Sequence, residues 1–249
     1  MTDSAPARIA AVCRVAELFP VPSRGDLLSG IDKRPVSGAL AVQRHGIWGD
    51  LQGDREHHGG VFKAVYAYSR EARDQLAAQE GRDLPDGFFG ENLVTEGIAT
   101  DDALIGEIWQ VGSVRLQASC PRTPCRTFAD RMGDRTWPRR FTEFGRPGTY
   151  FMVLTEGEIA AGDAITVISR PTHSVSIADA FRDLDPDQAG GLLEWAENTG
   201  TVLYDSVARK ALTVLQRAGI PRRFPDELRS DGRGDDTGLT GADSAADPQ

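Results

Sequence analysis

Ser119-Cys120-Pro121-Arg122-Thr123-Pro124-Cys125-Arg126-Thr127-Phe128 holds the residues of this chain best suited to chemistry. A cysteine thiolate attacks electrophiles and binds soft metals, so the surroundings that lower a thiol pKa decide what such a stretch can do. Upstream, Val114, Leu116, Ala118 and Cys120 alternate with Arg115, Gln117 and Ser119, the pattern of a strand with one buried face. Pro121 and Pro124 stop the ladder. Thr123 then reads as a helix N-cap with Pro124 at the first helical position, and Phe128 and Met132 begin an apolar stripe. This predicts Cys125 in the first helical turn, where open N–H groups and the helix dipole favour an anion, with Arg122 and Arg126 close in sequence. A buried, inert cysteine is the competing reading of the same residues. Strand phase puts Cys120 in the core, while its spacing to Cys125 leaves a redox disulfide open.

A second polar stretch runs from Arg44 to Asp54 and on through Arg55-Glu56-His57-His58-Gly59-Gly60-Val61-Phe62-Lys63 into a run of β-formers. Glycines let the backbone approach a ligand and expose N–H groups to anions, and His57, His58 and Lys63 add donors for a phosphate or oxo-anion. Adjacent histidines in extended chain point apart, so they do not make a metal site by themselves. A surface loop shaped by its glycines is the alternative. Further on, Phe88-Phe89-Gly90-Glu91-Asn92 sets a side-chain amide, able to donate and accept, beside two aromatics. That suits the edge of a heterocycle, and equally an ordinary turn.

These residues need a scaffold. Arg8 to Leu18 reads as a strand with Ile9, Ala11, Cys13 and Val15 on one face, followed by a turn-rich connection and a short strand between Arg34 and Gln43. Ser69 caps a helix to about Glu80, with Gly81 beyond its end. Ile105 to Gln117 is a hairpin turning at Gly112-Ser113, the helix from Thr123 ends near Met132, and Tyr150–Thr155 and Ala164–Ser169 are strands. The segment from Trp137 to Arg146 has no clear assignment. Short strands with frequent turns predict a mainly β (α+β) domain with a barrel-like sheet over residues 1–170. After Pro171 three amphipathic helices follow: one opened by a Ser176/Asp179 capping box, one around Asp187–Asn198, and one about 201–218. They form a three-helix C-terminal domain, 171–222, too small to stand alone and expected to pack on the barrel or on a partner subunit, which leaves a homodimer open. Residues 223–249 are assigned to a disordered tail on composition.

With 249 residues and ordinary apolar content the chain builds a packed core without staples. No apolar run is long enough to cross a bilayer, no secretory signal is visible, and three cysteines make no disulfide framework; a cytoplasmic protein with no membrane partner is expected. A net charge of −9 argues against nonspecific nucleic-acid binding. Basic residues are nearly all arginine, so the lysines at 33, 63 and 210 stand out. Dinucleotide, P-loop, serine-elbow and zinc-type motifs are absent from the sequence.

Taken together, His58-Gly59-Gly60 with the strand after it, Phe89-Gly90-Glu91-Asn92-Leu93, the Gly106-Glu107 to Gly112 hairpin and Pro121-Arg122-Thr123-Pro124-Cys125 resemble the MOSC-domain family, named for the C-terminal domain of molybdenum cofactor sulfurases. The resemblance covers roughly residues 8–170, and the helical segment is similar to that of the YiiM-like branch. It implies a β-barrel-type domain that binds the molybdenum cofactor (Mo-molybdopterin), with Cys125 as the molybdenum ligand and catalytic residue. It implies cofactor contacts from His58, Gly59, Gly60, Lys63, Asn92, Arg122, Thr123 and Arg126. Related members, including the mitochondrial amidoxime-reducing proteins, reduce N-hydroxylated compounds, and the YiiM-like branch is associated with detoxifying N-hydroxylated purine bases. The sequence carries no flavin or iron–sulfur motif, so such an activity calls for a separate electron-donor reductase. A cofactor or sulfur carrier without turnover is the alternative.

Overall fold

A computed structural model describes residues 6–51 and 60–230. Its centre is an eight-stranded sheet. In chain order the strands of the molecule are β1 (Arg8–Pro20), β2 (Leu28–Pro35), β3 (Leu40–Gln43), β4 (Gly46–Ile47), β5 (Val65–Ser69), β6 (Leu93–Glu96), β7 (Ile108–Val111), β8 (Val114–Pro121), β9 (Thr149–Thr155), β10 (Gly157–Ile159), β11 (Ile165–Ser169), β12 (Leu203–Tyr204) and β13 (Arg229–Ser230). The helices are α1 (Arg70–Glu80), α2 (Arg126–Met132), α3 (Trp137–Phe144), α4 (Ile177–Phe181), α5 (Pro186–Thr199) and α6 (Asp205–Arg217). The large sheet runs β11-β7-β8-β9-β5-β6-β1-β2, with β10, β3 and β4 in a second sheet and a short β12–β13 pair. Only β5 and β6 are parallel within the large sheet, and α1 makes the crossover that parallel neighbours require.

The expected barrel is replaced by a curled, open sheet. Ile9 and Ile165 donate N–H bonds to Asp163 and Ala7 at 2.8 and 2.9 Å, and Arg8 bridges Ala164, so the start of β1 reaches the start of β11. The contact there is an isolated bridge and not a ladder.

Strand β5 shows why both faces of the sheet are covered. All five of its residues are buried. Val65 and Ala67 enter the main core, whereas Tyr66 and Tyr68 point into an aromatic cluster with Phe89, Phe128, Trp137 and Phe141 under α1, α2 and α3. Strand β8 keeps its predicted phase, with Val114, Leu116, Ala118 and Cys120 all in the main core. Strand β1 does not keep a single phase. A register shift between Ile9 and Ala11 flips the alternation, so Ile9 and Val12 join the main core while Ala11 and Cys13 pack with Val94 on the other side.

Several boundaries move. Strand β2 begins at Leu28, inside the stretch expected to be all turn, and Val61–Lys63 is a 3-10 turn rather than the start of a strand. The unassigned Trp137 segment is helix α3, with Pro138 in its first turn and Gly145 left-handed at its end. The Ser69 cap accepts from Ala72 N–H at 3.3 Å, and the Ser176/Asp179 capping box is present, as is a second one at Asp185/Gln188.

The three C-terminal helices share a hydrophobic core with the sheet. Helix α4 is stitched to the sheet by Ile177 N–H to Ala103 O (2.8 Å) and Ile105 N–H to Val175 O (3.1 Å), while α5 and α6 pack on each other. Trp195 of α5 lies so close to Gly106 (φ +90°) that a β-carbon there would sit 2.2 Å from its ring, which is why this position is glycine. The apolar residues of α4, α5 and α6 belong to the same core as the sheet. Within the segment assigned to the tail, Phe224 is buried and Arg229–Ser230 pairs in parallel with Leu203–Tyr204, since backbone pairing and one aromatic anchor outweigh the polar composition. No helix among the described residues is long and apolar enough to cross a membrane.

Candidate functional site

Cys125 lies where β8 hands the chain to α2. Helix α2 begins at Arg126, and Cys125 is its N-cap residue, extended at φ −134° and ψ 176°, not a first-turn residue. The two prolines explain the difference: Pro121 closes β8, and Pro124 keeps Thr123 out of helical geometry, so the chain turns only after Cys125. The Cys125 carbonyl still accepts the first helical bond, from Ala129 N–H at 3.0 Å, and its half-buried side chain stands at the helix start. Phe128 and Met132 pack into the aromatic cluster, and Gly133 ends the helix.

Two adjoining cavities meet at this residue, an inner one of about 90 Å³ and an outer one of about 390 Å³. Lys63, Thr123, Cys125 and Tyr150 line both. Arg24, Pro124 and Arg126 complete the outer wall. The inner wall includes Tyr66, Phe89, Gly90, Arg122 and, from β2, Ser29, Gly30, Ile31 and Lys33. Gly30 in that wall is needed for close approach, because a β-carbon there would sit 2.1 Å from the Leu51 carbonyl oxygen.

Arg122 and Arg126, indistinguishable by sequence, separate in space. Arg126 is exposed at the outer rim, whereas Arg122 is buried with its guanidinium 3.7 Å from the Phe128 ring centroid and 5.5 Å from that of Tyr66. Its Nη1 is buried and has no hydrogen-bond partner among the described residues. A buried donor without a partner is costly, and this one belongs to a side chain in the wall of a cavity able to hold an acceptor.

Lys63 reaches the same wall from the 3-10 turn that Gly60 opens at φ +92°. Its ammonium stands 5.8 Å from the Tyr150 ring centroid. Tyr150 also faces Tyr66 at 5.0 Å, and the Tyr66 hydroxyl donates to Pro147 O at 2.8 Å. Thr123 is exposed at the rim. His57, His58 and Gly59 lie outside the described residues.

Asn92 is at the inner cavity, but its amide is already engaged. Oδ1 accepts from Tyr66 N–H at 3.2 Å, and Nδ2 donates to Asp50 at 2.8 Å and to Cys13 O at 3.4 Å. Its place is structural, tying β1, β5 and the 50–51 segment together behind the cavity. Asp50 in turn binds the Lys33 ammonium at 2.5 Å, with both side chains nearly buried. Neighbouring Glu91 closes the Gly87–Glu91 loop by accepting from Gly87 and Phe89 N–H at 2.7 and 2.9 Å. Burial raises its pKa, and the backbone donors work against that rise.

Of the other cysteines, Cys13 is buried and its thiol is pushed up by desolvation. Cys120 is 1% exposed and pushed up to about 11, chiefly by burial, with Lys63 pulling the other way. No disulfide joins Cys13, Cys120 and Cys125. A buried thiol with so high a pKa is a poor partner in exchange, which weighs against a Cys120–Cys125 redox pair.

Lys33, Tyr66, Tyr150 and the β1–β2 hairpin were not assigned to the site by sequence. Lysine scarcity was a usable signal: Lys33 and Lys63 both line the inner cavity, while Lys210 donates to the terminal carbonyls of α4 at Ala180 (2.9 Å), Phe181 (3.1 Å) and Arg182. The tyrosines gave no such signal, since alternating tyrosines in a strand read as core.

A family model described as "MOSC domain" matches residues 54–166, a span that includes Lys63, Asn92, Arg122 and Cys125. The chain is 33% identical over 154 residues to YflK, an uncharacterized protein of Bacillus subtilis, covering 62% of this chain and 70% of that one. It is 30% identical over 178 residues to YiiM of Escherichia coli, covering 68% of this chain and 78% of YiiM. The chain belongs to the MOSC-domain family. A protein from Gibberella moniliformis named "Reductase" is 33% identical over 165 residues, but this chain spans only 29% of its length. Among solved structures, YiiM from Geobacillus stearothermophilus superposes with a TM-score of 0.65 at 27% identity, covering 84% of this chain and all of that one. The Escherichia coli YiiM structure shares the fold, with a TM-score of 0.60 at 22% identity.

Proposed function

We propose that this MOSC protein is an oxidoreductase that holds the molybdenum cofactor in the paired cavities beside Cys125 and reduces N-hydroxylated compounds such as hydroxylaminopurines and amidoximes. The observation that carries the reading is the combination at one wall of an unpartnered, buried Arg122 nitrogen and the Cys125 thiol. A phosphate oxygen supplies the acceptor that Arg122 lacks, and a thiolate is the protein ligand a soft metal takes. The residues present therefore fit the group. When bound, the cofactor supplies two-electron redox chemistry at molybdenum.

The chain's own part is binding and positioning. Cys125 holds the metal through Sγ. Arg122, held over the Phe128 ring, and Lys63, steadied against Tyr150, meet the anionic part of the cofactor. Tyr66, Phe89 and Tyr150 give the inner cavity apolar walls that exclude water, and the Lys33–Asp50–Asn92 network fixes the shape of its floor. Arg24 and Arg126 make the outer mouth cationic. Electrons come from a separate reductase.

Turnover separates this reading from a cofactor or sulfur carrier. Cofactor-replete protein given a chemical reductant is expected to convert 6-hydroxylaminopurine and benzamidoxime to their amino forms, and Cys125→Ala to abolish conversion. Bound cofactor, or a persulfide on Cys125, with no turnover of either compound would favour the carrier.

A further inference from the structure

Strand β12 brings Tyr204 against the turn that carries Lys63. The Lys63 ammonium is 4.8 Å from the Tyr204 ring centroid, nearer than to Tyr150, and the Tyr204 ring lies 5.7 Å from that of Phe62. Tyr204 borders a separate small cavity with Phe62 and Ser119, so it meets Lys63 from behind the shared wall of the two site cavities. Its own position is fixed several times over. Leu203 beside it is buried, and Tyr204 pairs with Ser230 across β12–β13. The next residue, Asp205, is bound by Arg209 at 2.7 Å and Arg229 at 3.5 Å.

A lysine head is a point charge on a flexible stem, and it holds one position only when its surroundings hold it there. Two aromatic rings facing one ammonium do that, because each ring attracts the cation and limits the stem. We propose that Tyr204 is a positioning residue for Lys63, so that the C-terminal helical segment completes the site instead of being an appendage to it. The proposal rests on the functional reading only in that Lys63 meets the anionic part of the bound ligand. Burial by itself would lower the Lys63 pKa. The Cys120 thiol, the Tyr204 hydroxyl and Tyr150 outweigh it, and the net displacement is upward.

The scarcity of lysine makes a direct test practical. With lysines only at 33, 63 and 210, the full chain labelled with ε-13C-lysine gives three side-chain signals, and Lys63→Arg assigns the one of interest. The Lys63 signal is expected upfield of the other two, displaced by ring currents. Tyr204→Leu should return it toward the ordinary lysine position and lower its titration midpoint, with Lys33 and Lys210 unchanged. Tyr204→Phe, which keeps the ring, should keep the displacement, and Tyr204→Met replaces the leucine variant if that one does not fold. An unmoved Lys63 signal in folded Tyr204→Leu, or in folded Tyr204→Met, overturns the proposal. The measurement needs no cofactor. Its failure leaves the molybdenum reading standing, and failure of that reading leaves this one testable.

Discussion

Arg122 combines three features that rarely coincide: it is buried, its guanidinium stands 3.7 Å over an aromatic ring, and one of its nitrogens has no partner among the described residues. Lysine keeps the charge but loses the planar group and the forked donors. Arg122→Lys is therefore expected to cut retention of bound cofactor by about tenfold, a loss on the order of 1.4 kcal/mol, while leaving the melting temperature close to wild type. Metal retained per chain after gel filtration reads this, and unchanged retention would remove Arg122 from the site. Asp101 offers a separate test at the same scale. Burial raises its pKa from 3.8 to about 6, against the Gly148 N–H bond and the Arg146 charge that favour the ionised form. The native state then holds the proton more tightly than the unfolded chain between about pH 4 and 6, so this group's contribution to stability falls as pH rises through that window. Asp101→Asn should flatten the pH dependence of denaturant midpoints there. An identical slope in both proteins would show that Asp101 titrates normally. At this scale the sequence singled out Cys125, Lys63, Arg122 and Arg126 together, and all four line the paired cavities, but nothing local told Arg122 from Arg126. That choice is made by the direction in which β8 delivers the chain.

Elements explain what single residues do not. The tip of the β1–β2 hairpin, a 3-10 turn at Pro22–Arg24, leans on α2, where Asp130 accepts from the Ser23 hydroxyl at 2.6 Å and its N–H at 3.1 Å. The contact carries Arg24 and Leu27 to the cavity walls. Because it is exposed and rests on one carboxylate, Asp130→Ala should loosen the tip and speed alkylation of Cys125 in cofactor-free protein by roughly 3- to 10-fold, in the range of modest local opening energies. An unchanged rate would mean the hairpin does not limit access. Periodicity found most elements, because caps and alternation are local: Ser69, the Ser176 box and the β7–β8 hairpin all stand where they were expected. It missed the β1 bulge and the start of α2. The first is set by which partner strand each half of β1 meets, the second by two prolines acting together, and neither shows in a single residue's propensity.

At the level of the whole molecule, one core joins the sheet to the C-terminal helices. The sequence reading divided the chain at Pro171 because composition and periodicity change there. Buried contacts do not change there: α4 is bonded to the 103–105 segment, and Trp195 presses on Gly106. Leu192 is fully buried in that common core, so Leu192→Ala should cost about 2–5 kcal/mol and shift a single unfolding transition seen alike by near-UV and far-UV dichroism. Two separate transitions would instead indicate an independent helical unit. The same continuity places Tyr204 beside Lys63, so sheet and helices act as one support for the cavities.

The central claim is that Cys125 anchors a molybdenum cofactor. Elemental analysis settles it most directly, on wild type and Cys125→Ala produced in a host confirmed to make the cofactor. Near-stoichiometric molybdenum in wild type, lost in Cys125→Ala, is the predicted result. Molybdenum absent from both, or retained in full by Cys125→Ala, would contradict it.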